Sequence, residues 1–343
     1  MAGGSGERFW PLSTKERPKQ LLRLIDSEKS LIRMTVERVL PMVEAERIFI
    51  ATNEVQAAAV REELGMIPQR NIILEPAFRD TAAAIGYGCV YTEALFPGST
   101  MVVLASDHLI KDEEAFRSAL KIAIEVAEGS EAIVTLGIKP DKPETGYGYL
   151  ETEECRTGIP AKVLRFCEKP ALDKAKEYVE SGRFLWNSGM FIFKVETMFR
   201  AFEKLMPDHW TVVKDIQALK SDSEYSAKLK ELFGKFVKIS IDFGIMEKFA
   251  NTYVVPVDFG WNDIGSYPAL SEVFPSDENN NIVRNVRIRE FNSSGNIVIG
   301  SAKNGQPEKT IALLGVHDMV IVETPDTILV CSKEEAQNIK KIL

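Results

Sequence analysis

The chain has 343 residues, is 45% hydrophobic and 27% charged, and carries a net charge of −8. This length sets the expectation of one large domain and a lesser one; the acidic balance argues against a nucleic-acid surface but leaves room for a local positive pocket. Four dispersed cysteines, three unclustered histidines, no apolar run near a membrane span of ~20 residues and no signal peptide predict a cytoplasmic protein without zinc or disulfides.

The first element is a loop: Gly3-Gly4-Ser5-Gly6-Glu7-Arg8, then Trp10-Pro11-Leu12 and Pro18-Lys19-Gln20. Closely spaced glycines free the backbone to reach φ > 0. Their N–H groups can gather around phosphate oxygens, and Arg8 and Lys19 supply the cations that a polyphosphate needs. No Gly-Lys pair follows, which excludes a P-loop. The spacing Gly4-x-Gly6-x-x ends on Phe9, which excludes the dinucleotide fingerprint. The glycines alone would suit a flexible tail; their ordered mix with apolar and cationic residues predicts a nucleoside-triphosphate site.

Strand and helix patterns then alternate. Strands are predicted at 47–52, 71–74, 100–104 and 132–137, and helices at 55–64, 80–95 and 113–127. The last of these helices carries Phe116, Ala119, Leu120, Ala123 and Val126 on one face. Such alternation implies a doubly wound α/β sheet of Rossmann type, on which ligands sit at the carboxyl ends of strands; Ser106-Asp107-His108 lies at such an end. Further on, helices are predicted at 171–180, 195–205, 210–218 and 223–232, and strands at 236–239 and 252–257. The polar cluster Asp277–Asn281 marks a boundary, dividing the chain into a domain over 1–275 and a small β-rich domain over 276–343. Within the latter, strand-like runs at 282–289, 296–299, 319–322 and 328–330 precede a helix at 333–342.

The opening motif resembles that of the sugar-1-phosphate nucleotidyltransferases, and within them the mannose-1-phosphate guanylyltransferases, whose pattern G-G-x-G-x-R-x-W-P-L-S followed by P-K-Q runs here from Gly3 to Ser13 and again at Pro18-Lys19-Gln20. Later segments continue the resemblance: Gly146-Tyr147-Gly148, Glu168-Lys169-Pro170 after Phe166, Trp186-Asn187-Ser188-Gly189-Met190, and Gly260-Trp261-Asn262-Asp263. It implies a mixed sheet of the nucleotidyltransferase (GT-A-like) kind. It also implies a C-terminal left-handed β-helix that makes homodimer contacts. In the resembled family an apolar strand runs into Ala-Gly-Gly; here Met1 directly precedes Ala2-Gly3-Gly4. Restoring about five or six apolar residues upstream is therefore expected to raise stability.

The implied reaction is GMP transfer from GTP to α-D-mannose 1-phosphate, with Mg²⁺ as cofactor. The sugar phosphate is already an anion, so no side-chain nucleophile is needed; the protein must align two repelling anions and neutralise the departing pyrophosphate. Arg8 and Lys19 suit the β- and γ-phosphates. Asp107 and Asp263 are the metal candidates, with Asp258 the weaker alternative and His108 structural. Gly3, Gly4, Gly6, Ser106 and the segment containing Glu75, Asp80 and Thr81 are assigned to the nucleotide. Glu75 can accept both adjacent donors of guanine, N1–H and the N2 amino group. Asp80 stands where the family has Asn and suits a helix cap. The sugar is assigned to Gly146, Tyr147, Glu168, Lys169, Asn187 and Gly189, with Lys169 pairing the sugar phosphate. Asp242, in Ser240-Ile241-Asp242, is read as architecture, a helix cap. The length leaves no room for the isomerase domain of bifunctional relatives, so that activity is not expected. Two alternatives remain: a thymidylyl- or uridylyltransferase acting on glucose 1-phosphate, and a non-catalytic sugar-nucleotide sensor. No nucleic-acid or membrane partner is expected.

Overall fold

The computed structural model describes residues 1–4, 6–220, 223–301 and 309–343; Ser5 of the glycine loop lies outside the described residues. A mixed six-stranded sheet forms the centre. Its strands run in the order Thr100–Val103, Phe184–Lys194, Ile133–Ile138, Thr252–Val257, Ala161–Cys167 and Tyr149–Thr152. The 133–138 and 252–257 strands are parallel, and the strand 184–194 is antiparallel to both of its neighbours at 100–103 and 133–138. The alternating pattern of the first half gives no sign of this long strand, because its W-N-S-G-M stretch reads as a motif rather than as a ladder.

Helices cover the sheet where their apolar stripes dictate. Helix Glu113–Gly129 is capped by Asp112, which accepts from the amides of Glu114 and Ala115, and it buries Phe116, Ala119, Leu120 and Ala123. Helix Asp80–Leu95 carries Gly86, where an added Cβ would stand 3.1 Å from Val213, so the glycine lets helix Pro207–Gln217 approach closely. The strand expected at 236–239 does not form. The Val237 carbonyl accepts from His209 Nε2 and the Ile239 carbonyl from the Ala82 amide, so those backbone groups serve neighbouring helices instead of a ladder.

Among the described residues, strands Ile50–Asn53 and Ile72–Glu75 pair only with each other, in parallel. Strand 50–53 thus shows an unpaired edge to strand 100–103. Between the two lies a cavity of about 580 Å³ lined by apolar residues that include Ile32, Val36, Ile73, Ile85, Val103 and Leu120. Met1 and Ala2 bridge it. The Ala2 amide donates to the Ala51 carbonyl (2.7 Å), the Ser106 amide to the Met1 carbonyl (3.2 Å), and the Met1 ammonium to the Leu104 carbonyl (2.7 Å).

After residue 280 the chain coils. Ile282–Arg284, Ile297–Ile299 and Met319–Glu323 stack in parallel, and Ile328–Ser332 closes that sheet antiparallel. Arg287–Phe291 and Thr310–Leu314 form a second parallel layer. The single run expected at 282–289 is therefore two strands, split by a corner at Asn285, which has φ 56°. The expected terminal helix is a 3₁₀ turn over Ala336–Ile342. Its Ala336 and Ile339 join one core with Phe9 and Tyr267, so the β-rich tail packs directly on the glycine-loop segment. Among the described residues no helix is long and apolar enough to cross a membrane.

Candidate active site

The glycine loop is held from behind by side chains that grip its carbonyls. Gln20 Nε2 donates to the carbonyls of Ala2 (2.8 Å) and Gly4 (3.2 Å), Gln56 Nε2 to that of Gly4 (3.2 Å), and Thr52 Oγ1 to that of Ala2 (3.2 Å). These bonds hold the Ala2 and Gly4 carbonyls on the protein side of the loop. Gly6 has φ 62°, and a Cβ there would lie 2.5 Å from the Lys19 amide nitrogen, so no other residue fits. Ser13 Oγ fixes the Gly6 carbonyl (2.8 Å), and Phe9 packs on Tyr267 with ring centroids 4.9 Å apart. The short turn Glu7–Phe9 therefore buries Phe9 and leaves Arg8 exposed.

Lys19 is buried, and its ammonium lies 2.9 Å from Asp107 Oδ2 while also donating to the Asp263 main-chain carbonyl. Both aspartates flank the short antiparallel pair of Leu109–Ile110 with Trp261–Asn262, which brings the Asp107 carboxylate and the Asp263 backbone to the same ammonium. Burial opposes ionisation of Asp107, but the charges of Lys19 and His108 outweigh it and hold the carboxyl below its ordinary range. Asp263 is fixed by Tyr147, whose hydroxyl donates to Oδ1 (2.7 Å), and the next residue, Ile264, has φ 46°. A β-branched residue in that region is strained by about 1–3 kcal/mol. The strain is held by Asn262 Oδ1, which accepts from the Ile264 amide (2.7 Å), and by complete burial of the Ile264 side chain. Arg8 Nη1 would lie 3.5 Å from a Cβ on Gly265, beside the Asp263 carboxylate, and it donates to Gln337 of the C-terminal turn (3.3 Å).

A second cluster lies along the same loops. Between Thr135↔Phe191 and Gly137↔Asn187 the ladder shifts, so Ser188, Gly189 and Met190 bulge out of the central strand, with Gly189 at φ 69°. Bulges re-aim side chains next to functional sites, and here Asn187 is directed beside Glu168. A Cβ on Gly148 would meet Glu168 Oε2 at 2.4 Å, so this glycine makes room for the carboxylate. Lys169 Nζ pairs with Glu168 Oε1 at 2.7 Å, and Lys169 itself sits at φ 48°. Tyr147 links the two clusters, packed between Trp186 and Trp261 with centroids 5.2 Å away in each case.

Several expected residues take narrower places. The Tyr147 hydroxyl is committed to Asp263 rather than open to a sugar. Thr81 Oγ1 accepts from the Ile241 amide (2.8 Å), and Asp80 Oδ1 accepts from the Thr81 amide (2.8 Å), so both organise the start of helix 80–95. Gly146 donates its amide to Glu144 Oε1 (2.9 Å). Ser106 is buried with its amide on Met1, and Asp258 is exposed, outside the aspartate pair. His108 Nδ1 accepts from Trp261 Nε1 (3.1 Å), a structural contact. Glu75 lies beside Gly3, its Oε1 3.4 Å from where a Cβ would stand, and burial pushes its carboxyl up to about 7. Sequence reading missed the clamps Gln20 and Gln56. Gln20 stands inside the P-K-Q motif and was the available signal. It also missed Asp242, whose side chain accepts from Asn187 Nδ2 (3.0 Å) instead of capping a helix.

A glycine loop backed by a buried lysine, which rests on the Asp107 carboxylate and the Asp263 carbonyl at the strand ends of an α/β sheet, is the architecture of a nucleotidyltransferase. Residues 1–280 match the Nucleotidyl transferase family and residues 290–343 the MannoseP isomerase/GMP-like beta-helix domain. Among curated relatives, the mannose-1-phosphate guanylyltransferase of Klebsiella pneumoniae is 36% identical over 352 residues, covering 99% of this chain and 72% of that protein. That of Escherichia coli (strain K12) is 37% identical over 360 residues, covering 100% and 72%. The crystal structure of mannose-1-phosphate geranyltransferase from Thermus thermophilus superposes with a TM-score of 0.87 at 35% identity, covering 100% of this chain and 96% of that one. The chain belongs to the mannose-1-phosphate guanylyltransferase family and is an enzyme of nucleotidyl transfer.

Proposed function

We propose that this enzyme transfers GMP from GTP to α-D-mannose 1-phosphate, releasing pyrophosphate. The observation that carries this reading is the seating of the Lys19 ammonium on Asp107 and Asp263 beside a glycine loop whose carbonyls are tied back. The Lys19 ammonium rests there on the Asp107 carboxylate and the Asp263 main-chain carbonyl. Hard oxygen donors, few in number, suit Mg²⁺, which completes its shell with substrate phosphates and water; among the described residues there is no larger cluster of metal-binding side chains. Asp107 and Asp263 would hold the ion. Bound there, it supplies charge neutralisation and polarisation at the α-phosphate.

This chain's own residues do the rest. A phosphate oxygen of the sugar phosphate attacks the α-phosphorus; the new P–O bond forms as the bond to the β-phosphate oxygen breaks, and pyrophosphate carries away the electron pair. Arg8, Lys19 and the loop amides stabilise that leaving charge. Lys169, whose ammonium now rests on Glu168, is placed to exchange that partner for the sugar phosphate. Glu75, beside Gly3, accepts the two donors on the guanine edge. Phe291 and Leu314 are register partners exposed on the tail, and they offer an apolar contact for pairing two copies in a homodimer.

The test is pyrophosphate release from four nucleoside triphosphates crossed with several hexose 1-phosphates, with and without Mg²⁺. GTP with mannose 1-phosphate should lead, and Glu75→Gln should cut the preference for GTP over ATP by about tenfold or more. Faster turnover of UTP or dTTP with glucose 1-phosphate would install that activity instead. Silence in every combination would point to a sensor.

A further inference from the structure

Asn187 cannot accept a hydrogen bond from a ligand hydroxyl without losing a protein partner. Its Oδ1 already accepts from Thr135 Oγ1 (3.1 Å) and from the Gly189 amide (3.2 Å), and its Nδ2 donates to Asp242 Oδ1 (3.0 Å). The unspent acceptors at this end of the pocket lie elsewhere. Glu168 Oε2 is buried with no hydrogen-bond partner, and the nearby Asp242 carboxyl accepts from Asn187 Nδ2 through Oδ1 and from its own amide. A buried acceptor without a donor is costly, and it marks a place where a ligand donor belongs.

The backbone that presents Asp242 is unusual in the same direction. Asp242–Met246 forms a π-helical turn, a conformation concentrated at functional sites. The following residue, Glu247, accepts from the Glu168 main-chain amide (3.1 Å), so the end of the turn is tied to the backbone that carries Glu168. Burial and the adjacent Glu168 charge push the Asp242 carboxyl up to about 6. Two neighbouring carboxylates that repel one another, each holding a protein donor on one oxygen, suit a ligand with neighbouring hydroxyls, one for each.

We infer that Asp242 is a specificity-determining residue of the sugar pocket, accepting a hexose hydroxyl through Oδ2 while Asn187 serves as the strut that orients it. This rests on the reading of the pocket as a hexose 1-phosphate site. The experiment measures KM for mannose 1-phosphate, KM for GTP and the ratio of kcat/KM for mannose 1-phosphate to that for glucose 1-phosphate, in the wild type, Asp242→Asn and Asp242→Ala. Both variants should raise the sugar KM about tenfold to a hundredfold and shift the epimer ratio, leaving the GTP KM in place. A role in folding alone would lower the melting temperature without moving the epimer ratio, and that result overturns the assignment, as does an unchanged sugar KM. A wild type that turns over no hexose 1-phosphate sinks the functional reading itself, a distinct failure visible before any variant is made.

Discussion

Asp107→Asn is expected to lower pyrophosphate release about a thousandfold, and Asp263→Asn comparably. Asparagine keeps the shape of each side chain and an oxygen for Lys19 or Tyr147, so packing at this point survives. What disappears is negative charge at a site where it has been kept ionised against burial by Lys19 and His108. Without it a divalent cation loses its protein anchor, and the two substrate anions face each other unscreened in a partly dehydrated pocket. Turnover of either variant should therefore respond weakly to Mg²⁺ titration, with melting temperatures near that of the parent. Tyr147→Phe frees Asp263 Oδ1 from its 2.7 Å hydrogen bond but keeps the charge, so its loss should be smaller than that of either aspartate. Full magnesium-dependent activity in Asp107→Asn would move the metal elsewhere.

A chain that carries about five or six apolar, β-favouring residues ahead of Met1 should melt higher by a few degrees. The cavity of about 580 Å³ runs between the unpaired edges of strands 50–53 and 100–103, and Met1 and Ala2 already enter it with hydrogen bonds to both sides. A strand continued from that point would add ladder bonds on either side and fill a space lined by Ile32, Val36, Ile73 and Val103. Equal melting temperatures for the two lengths would show that the slot is not a strand site.

Where local chemistry dictates geometry, the site was legible in the sequence. Gly6 had to be glycine because Lys19 lies against it, and Arg8, Lys19, Asp107, Asp263 and Glu168 stand in motifs whose residue types announce anion and cation handling. Less legible was everything decided by long-range pairing. The bulged strand 184–194 supplies Asn187, yet its apolar stretches resemble those of any buried segment. The corner at Asn285 turns on one positive φ. Asp242 reads as a helix cap from its neighbours, and only the fold shows that it starts a π-helical turn and binds the distant Asn187. The tail core, where Ile339 joins Phe9 and Tyr267, brings together residues from opposite ends of the chain, a contact no local pattern encodes. Gln337 on Arg8 follows from that packing.

The central claim is electrostatic: a guanidinium and an ammonium quench the charge that develops as pyrophosphate departs. The measurement that tests it most directly is the single-turnover rate of pyrophosphate release from saturating GTP and mannose 1-phosphate in Lys19→Met and Arg8→Met, which keep the apolar stems and remove the charges. The account predicts losses of about a hundredfold to a thousandfold in each; undiminished rates in both variants would contradict it.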